Sequence, residues 1–290
     1  MNPGVAMRTR NCLTLLTLLA FGPATALAWG DGCQFHADRA GGVDAKGVEK
    51  VVIRAGAGDM KVVGRSNAVR VEARGTACAS RQELVDKSQI NVRREGNVVY
   101  VETELPQGDG GWKIGFNESA YIDLGVALPS GIPVETVDSS GDTVMEDLAA
   151  LKLDDSSGDI ELRRIAGLAE VHDSSGDITI ENAGSVKVSD SSGDVNVTGV
   201  KGDVEIPSDS SGDIEIAKVT GSVHIIEDSS GGIRVEDVKG NVKIDSDSSG
   251  DIYAAHVGGD FTVTDDTSGD IESSDIGGKV TIPDDKKNRG

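Results

Sequence analysis

Residues 209–227 read DSSGDIEIAKVTGSVHIIE. Ile214 and Ile216 alternate with polar neighbours, Val219 stands alone, Gly221 breaks the chain, and Val223 and Ile225 alternate again. Period-two runs of β-branched residues are short strands. The same frame recurs as Ile233, Val235, Val238, Gly240, Val242 and Ile244, then as Ile252, Ala254, Val257, Gly259, Phe261 and Val263. Each unit therefore offers five inward positions. The pentapeptide that opens the unit begins at 138, 155, 173, 190, 209, 228, 247 and 266, a period of 17, 18, 17 and then 19 residues. Self-similarity on that scale is the signature of a solenoid.

Five aliphatic side chains are too few to order one such unit in isolation, so neighbouring units must share their cores. If each unit is one turn of a coil, equivalent residues lie over one another about 4.8 Å apart and the backbone pairs upward and downward. Helical repeats are excluded by Gly and Asp-Ser-Ser breakers every few residues. The outward column Glu170, Lys187, Glu205, His224, Lys243, Thr262, Thr281 mostly puts unlike or neutral groups side by side, as paired strands favour. The expected fold is all-β: a single-stranded parallel β-solenoid, β-helix-like, with about eight regular coils of 17–19 residues and irregular coils before them.

The expected organisation runs from a secretory signal over 1–28 and an N-terminal segment over 29–47 to irregular β coils over 48–130. Regular repeats follow over 131–283, and a charged tail over 284–290. The signal has Arg8 and Arg10, an apolar run from Leu13 to Phe21, and the small-residue site Ala26-Leu27-Ala28. Its apolar run is too short to span a bilayer. The expected protein is exported, periplasmic or secreted to the cell surface, and not transmembrane. Strands are expected at Val51–Ile53, Met60–Val63, Val69–Ala73, Ile90–Val92, Val98–Val101 and Ile122–Val126. A Gly-rich insertion near 106–119 carries Trp112 and Phe116, which either pack under their loop or form a recognition loop.

The formal charge is −21. Loss of Arg8 and Arg10 with the signal, which contains no Asp or Glu, takes it to −23. Such a surface repels nucleic acid and leaves cations and basic peptides or proteins as electrostatic partners. Aromatic residues make up 3% of the chain, too few for a stacking platform along the repeats. Cys33 and Cys78 remain once Cys12 leaves, and a disulfide is their natural state in an oxidising compartment. Lipidation of Cys33 is the alternative, but Gly30-Asp31-Gly32 lacks the aliphatic residue a lipobox requires.

The Asp-Ser-Ser-Gly-Asp corner has two readings. As a turn, its Asp and Ser oxygens accept backbone N–H groups and its Gly supplies positive φ. As a ligand site, stacking would align Asp155, Asp173, Asp190, Asp209, Asp228 and Asp247, with Asp138 and Asp266 at the ends, in one file. Carboxylates about 4.8 Å apart repel by roughly 1 kcal/mol in water and roughly 3 to 4 kcal/mol at an effective dielectric of 20. Turn donors, outward splay, raised pKa values or weakly bound Ca²⁺ would offset that repulsion. A second file, Asp142, Asp159, Asp177, Asp194, Asp213, Asp251 and Asp270, is interrupted by Gly232. No dedicated cofactor and no catalytic residue is expected, because no histidine recurs in register with the serines. His36, His172, His224 and His256 read as isolated surface residues, and Asn117 and Asn196 begin chance sequons.

The Ser-Ser-Gly-Asp-Ile turns, the strand Tyr121-Ile122-Asp123-Leu124 and the step Leu128-Pro129-Ser130-Gly131 together resemble the bacterial putative-adhesin β-strand-repeat family. That family is a domain of unknown function akin to the auto-transporter adhesin head (GIN) domain. The resemblance spans about 48–282 and implies a β-helix-like fold in the bacterial envelope, with no catalytic residues. The expected function is accordingly structural or adhesin-like binding of an envelope component, with self-association as a further partner. The alternatives are a sensor of envelope stress or cationic peptides, and a polysaccharide-acting β-helix enzyme.

Overall fold

A computed structural model describes residues 33–106 and 118–284. The signal segment 1–28, Trp112 and Phe116 of the insertion, and residues 285–290 of the charged tail lie outside the described residues.

The unit at 209–227 is one coil. Its pentapeptide turns a corner, and the strand Ile214–Val219 then runs along one sheet. A second corner at Gly221 leads into the strand Val223–Asp228 of the opposite sheet. The regular coils pair in parallel, with register shifts only where the coil length changes, at Ile165/Leu168 and Lys187/Ser189. Ile214 pairs with Ile233, Ile252 and Ile271 in succession, and Val223 with Val242, Phe261 and Val280. From the coil that starts at Asp155 to the one that starts at Asp247, the five apolar positions of each coil are buried and merge into one continuous core. The protein is a parallel β-solenoid of about eight regular turns.

One tight step lets the coil close. The residue before the third inward position of the first strand is left-handed in successive coils, with φ of 58° at Lys218, 56° at Asp237, 53° at His256 and 52° at Asp275. That residue absorbs the change from a spacing of two to a spacing of three between buried side chains, so Val219 and its equivalents face inward again.

The N-terminal part departs from the expected succession of opening coils. In chain order it comprises β1 (Phe35–Asp44), β2 (Lys50–Arg54), β3 (Met60–Arg65), β4 (Arg70–Ala79), α1 (Gln82–Lys87), β5 (Gln89–Glu95), β6 (Val98–Glu104), β7 (Ala120–Pro129), β8 (Val134–Val137) and β9 (Thr143–Glu146). β2 and β3 form a coil that lies on the coil of β8 and β9, but on its other side lie β6 and β7, which come later in the chain. Antiparallel strands then finish this end, β5 against β6, and β4 followed by β1 against β7. Parallel coils expose a sheet edge at each end, and antiparallel closing strands let a short chain cover the last core layer. Val71, Ala73, Ala77 and Ile90 fill that layer. At the opposite end, no antiparallel strand covers the last coil among the described residues: Ser273, Ser274 and Val280 are exposed, beside the charged Glu272, Asp275 and Lys279.

Cys33 and Cys78 form a disulfide with Cα atoms 5.5 Å apart, joining the start of β1 to the end of β4. It closes a loop with a sequence separation of 45. The chain-entropy relation gives about 4 kcal/mol as the ceiling for such a loop. Cys33→Ala/Cys78→Ala should therefore lose about 2 to 4 kcal/mol in urea unfolding, with the loss reproduced by reductant on the parent protein. Equal midpoints with and without reductant would contradict this.

The outward column of alternating charge forms as the sequence predicts. Glu135, Lys152, Glu170, Lys187, Glu205, His224, Lys243, Thr262 and Thr281 are successive cross-strand partners. Lys187 reaches Glu205 at 2.7 Å and Lys152 reaches Glu170 at 3.9 Å. This face neutralises itself.

Candidate functional site: the stacked aspartate corners

The eight corners do lie over one another, and their first aspartates are buried. Asp138, Asp155, Asp173, Asp190, Asp209, Asp228, Asp247 and Asp266 are 0–6% exposed. Asp228, Asp247 and Asp266 are direct register partners along the stack, and Asp209 bridges to Asp228. Each coil thus has a sixth inward position that aliphatic residues alone did not reveal. The signal lies in the spacing: Ile214, Ile216 and Val219 are separated by two and then three, and so are Val223, Ile225 and Asp228. The aspartate sits where the first half of the unit places valine.

One oxygen of the buried carboxylate completes the turn. Oδ1 accepts the N–H of the following serine at 2.8 Å in Asp138, 2.7 Å in Asp155 and Asp173, and 2.6 Å in Asp190. The other oxygen faces the interior. Asp138 Oδ2 accepts the Thr143 hydroxyl at 3.1 Å. Where later coils carry Ile160, Ile178 and Val195 in place of that threonine, Oδ2 of Asp155, Asp173 and Asp190 is buried with no partner among the described residues. Burial therefore pushes these carboxyls up, against the serine N–H donors that favour the anion: Asp138, Asp190 and Asp209 to about 6, and Asp155 to about 7. Asp228 also rises to about 7, through burial and then the repulsion of Asp247 and Asp209. Asp173 shifts the same way by burial. Asp138, Asp155, Asp190, Asp209 and Asp228 are thus neighbouring carboxyls that hold protons near neutrality.

The second aspartate is exposed and has a different task. Its Oδ1 accepts the N–H of the equivalent residue one coil on. Asp142 takes Asp159 at 3.1 Å, Asp177 takes Asp194 at 3.0 Å, Asp194 takes Asp213 at 2.9 Å, and Asp213 takes Gly232 at 2.7 Å. The ladder continues into the reordered coils, where Asp142 N–H donates to Asp59 and Asp59 N–H to Asp123, each at 3.1 Å. Gly232 receives a link but has no carboxylate to pass one on.

Serine hydroxyls clamp the same corner. Ser192, Ser211, Ser230, Ser249 and Ser268 donate to the carbonyl of the first corner serine in the preceding coil at 3.1–3.3 Å. The corner glycine has φ of +131° at Gly212, and a Cβ there would overlap the carbonyl of Gly193. The opposite corner carries a ladder that sequence reading missed: Asp203, Ser222, Asn241 and Asp260 each accept the N–H of their successor at 2.7–3.1 Å. Its signal was an oxygen-bearing side chain directly after Gly202, Gly221, Gly240 and Gly259.

Among the described residues, no group of three or more His, Cys, Asp or Glu side chains converges in a way that could hold a metal ion. Three histidines read as isolated have acidic neighbours: His172 with Glu170 at 3.3 Å, His224 with Asp245 at 2.6 Å, and His256 between Asp237 at 3.2 Å and Asp275 at 3.4 Å. No helix among the described residues is long and apolar enough to cross a membrane.

No curated protein matches the chain. Three crystal structures are similar to it in fold. A putative adhesin from Bacteroides fragilis NCTC 9343 is 13% identical, with a TM-score of 0.44 over 87% of this chain and 99% of that one. A putative adhesin from Parabacteroides merdae ATCC 43184 is 12% identical, with a TM-score of 0.48 over 87% and 98%. A putative lipid binding protein from Parabacteroides distasonis ATCC 8503 is 17% identical, with a TM-score of 0.45 over 85% and 97%. The Toastrack DUF4097 family matches residues 49–275, from the first strand of the reordered coils to the last regular one, and this chain belongs to that family.

Proposed function

We propose that the protein is an exported, non-catalytic scaffold that binds a component of the bacterial envelope through its repeated outward rows. The observation that carries this reading is the in-register stack itself: each outward position becomes a row with one side chain per coil, held on a backbone that both corner ladders lock. A rigid row of similar contacts turns weak individual binding into avidity. The corner serines and aspartates are committed to backbone hydrogen bonds, which suits a framework better than a reacting centre. The Cys33–Cys78 disulfide fits an oxidising compartment and so supports export. The adhesin and lipid-binding descriptions of the similar structures agree with a binding role.

The test is cosedimentation of the purified protein with isolated cell-envelope fractions, beside a chromogenic and polysaccharide substrate screen. Retention on the envelope without turnover is the expected result. Turnover abolished by a single point mutation would replace this reading with the enzymatic one.

We read the aspartate file as structural rather than as a calcium ladder, since in Asp155, Asp173 and Asp190 one oxygen takes a turn N–H and the other is closed off in the interior. Millimolar CaCl₂ should then leave the Tm unchanged. A rise of several degrees with measurable binding heat would show that the carboxylates gather around an ion.

A further inference from the structure

Four neighbouring coils differ from the rest of their sheet in what they show to solvent. Cross-strand pairing places Thr179, Asn196, Glu215 and Arg234 in one outward row and Glu181, Thr198, Ala217 and Glu236 in the next. The short side chains of Thr179, Asn196, Thr198 and Ala217 leave a depression of about 230 Å³, which Glu215 also lines and which the longer Glu181, Arg234 and Glu236 rim.

The floor and the rim differ in how their polar groups are satisfied. The rim charges are paired: Arg234 reaches Glu236 at 2.6 Å, and Arg163, outside the depression, reaches Glu181 at 3.6 Å. Arg234 also lies over the Tyr253 ring, 4.4 Å from its centroid, fixing one wall. By contrast, the hydroxyls of Thr179 and Thr198, the amide of Asn196 and the carboxylate of Glu215 have no hydrogen-bond or ion-pair partner among the described residues. They form a set of open donors and acceptors spaced by the coil rise of about 4.8 Å.

We infer that this depression is a binding site for a neutral glycan. The inference rests on the scaffold reading and gives it a ligand class. A chain of hydroxyl groups both donates and accepts, which matches a floor of hydroxyl, amide and carboxylate. Anionic ligands meet three glutamates and a single arginine that is already paired. An acyl chain requires an enclosed apolar cavity, and this depression is open, with hydroxyl, amide and carboxylate groups set among Val197, Ile216 and Ala217. A basic peptide would have to compete with rim ion pairs already formed, and only Glu215 is left for it. Single-site affinity is weak because the site is shallow, and a polymer crossing several molecules recovers it through avidity.

The test is ¹⁵N NMR titration of the protein with chitohexaose, cellohexaose and maltohexaose, with decalysine in a parallel arm. Binding of at least one glycan is expected, with shifts centred on Thr179, Asn196 and Thr198. Asn196→Leu/Thr198→Leu should lower its affinity about tenfold, as the loss of one or two hydrogen bonds implies. Ala217→Arg, which fills the depression and leaves the polar floor intact, should abolish binding while the melting curve stays unchanged. No shift with any of the three glycans at millimolar concentration overturns the assignment. So do shifts centred elsewhere, or binding insensitive to Ala217→Arg; in both cases envelope retention in the cosedimentation assay still supports the scaffold. Decalysine alone shifting the depression also overturns it, in favour of a cationic partner.

Discussion

Acidification from about pH 8 to about pH 5 should raise the melting temperature of this protein, by roughly 10 °C or more. The aspartates of the buried file have folded-state pKa values of about 6 to 7 at Asp138, Asp155, Asp190, Asp209 and Asp228. An unfolded aspartate titrates near 3.9. Between those values the folded state binds more protons than the unfolded chain, so stability falls as pH rises through the window and is regained as pH falls. A shift of about two units corresponds to roughly 3 kcal/mol for one independent group. Neighbours in the file titrate together and the serine N–H donors persist in both states, so the summed gain is on the order of 5 kcal/mol rather than a multiple of the single value. For a chain of this size each kcal/mol moves the Tm by about 2 to 4 °C.

Carboxyls with lowered pKa values act in the opposite direction, but only at stronger acidity. Glu135, Glu146, Asp147 and Asp245 are held down by hydrogen bonds to Lys50, Lys61, Arg164 and Lys243 respectively. Their solvent-facing pairs contribute little. Asp190→Asn keeps the oxygen that takes the Ser191 N–H and removes one charge from the file. It should raise the Tm at about pH 8 and flatten the profile. A Tm that is level or falls between about pH 8 and pH 5 would show that the file is not protonated on folding.

Gly212→Ala should be among the most destabilising single substitutions available, with a loss of more than about 3 kcal/mol in urea unfolding. At φ of +131° an alanine is strained, and its Cβ would occupy the carbonyl of Gly193 in the coil below. The coils would have to separate at that corner, where Gly212 N–H reaches Ser230 at 3.1 Å and Gly193 N–H reaches Ser211 at 3.0 Å. Because each coil is stable only against its neighbours, damage at one interface removes support from both sides. Gly96→Ala is the matched control: φ is +60° and nothing lies within 4 Å of the added carbon. It should cost only about 1 kcal/mol. Similar losses at the two positions would mean that backbone conformation, rather than contact between coils, makes the corner glycine necessary.

Much of this fold was legible because each repeat states its local rule eight times. Ile214, Ile216, Val219, Val223 and Ile225 are inward on pattern alone, and the column from Glu170 to Thr281 aligns because near-equal periods, with register shifts taking up the odd residue, keep equivalent positions together. The order of the first coils was not legible. Val51, Val99 and Val134 have the same local character, and only long-range pairing puts the strand at 98–104 on the far side of the strand at 50–54. The burial of Asp228 was written in its two-then-three spacing, yet the usual exposure of aspartate pointed outward.

The sequence by itself determined the parallel coil, its period, its aliphatic interior and its glycine corners, since these follow from side-chain periodicity and from the conformations that glycine alone adopts. Tertiary structure alone decided three things: the antiparallel closure of one end, the depth at which the regular coils bury the aspartate that the spacing points inward, and the open depression around Asn196. Each depends on which chains become neighbours and on how much water they exclude. That is a property of the assembled stack and of no single repeat within it.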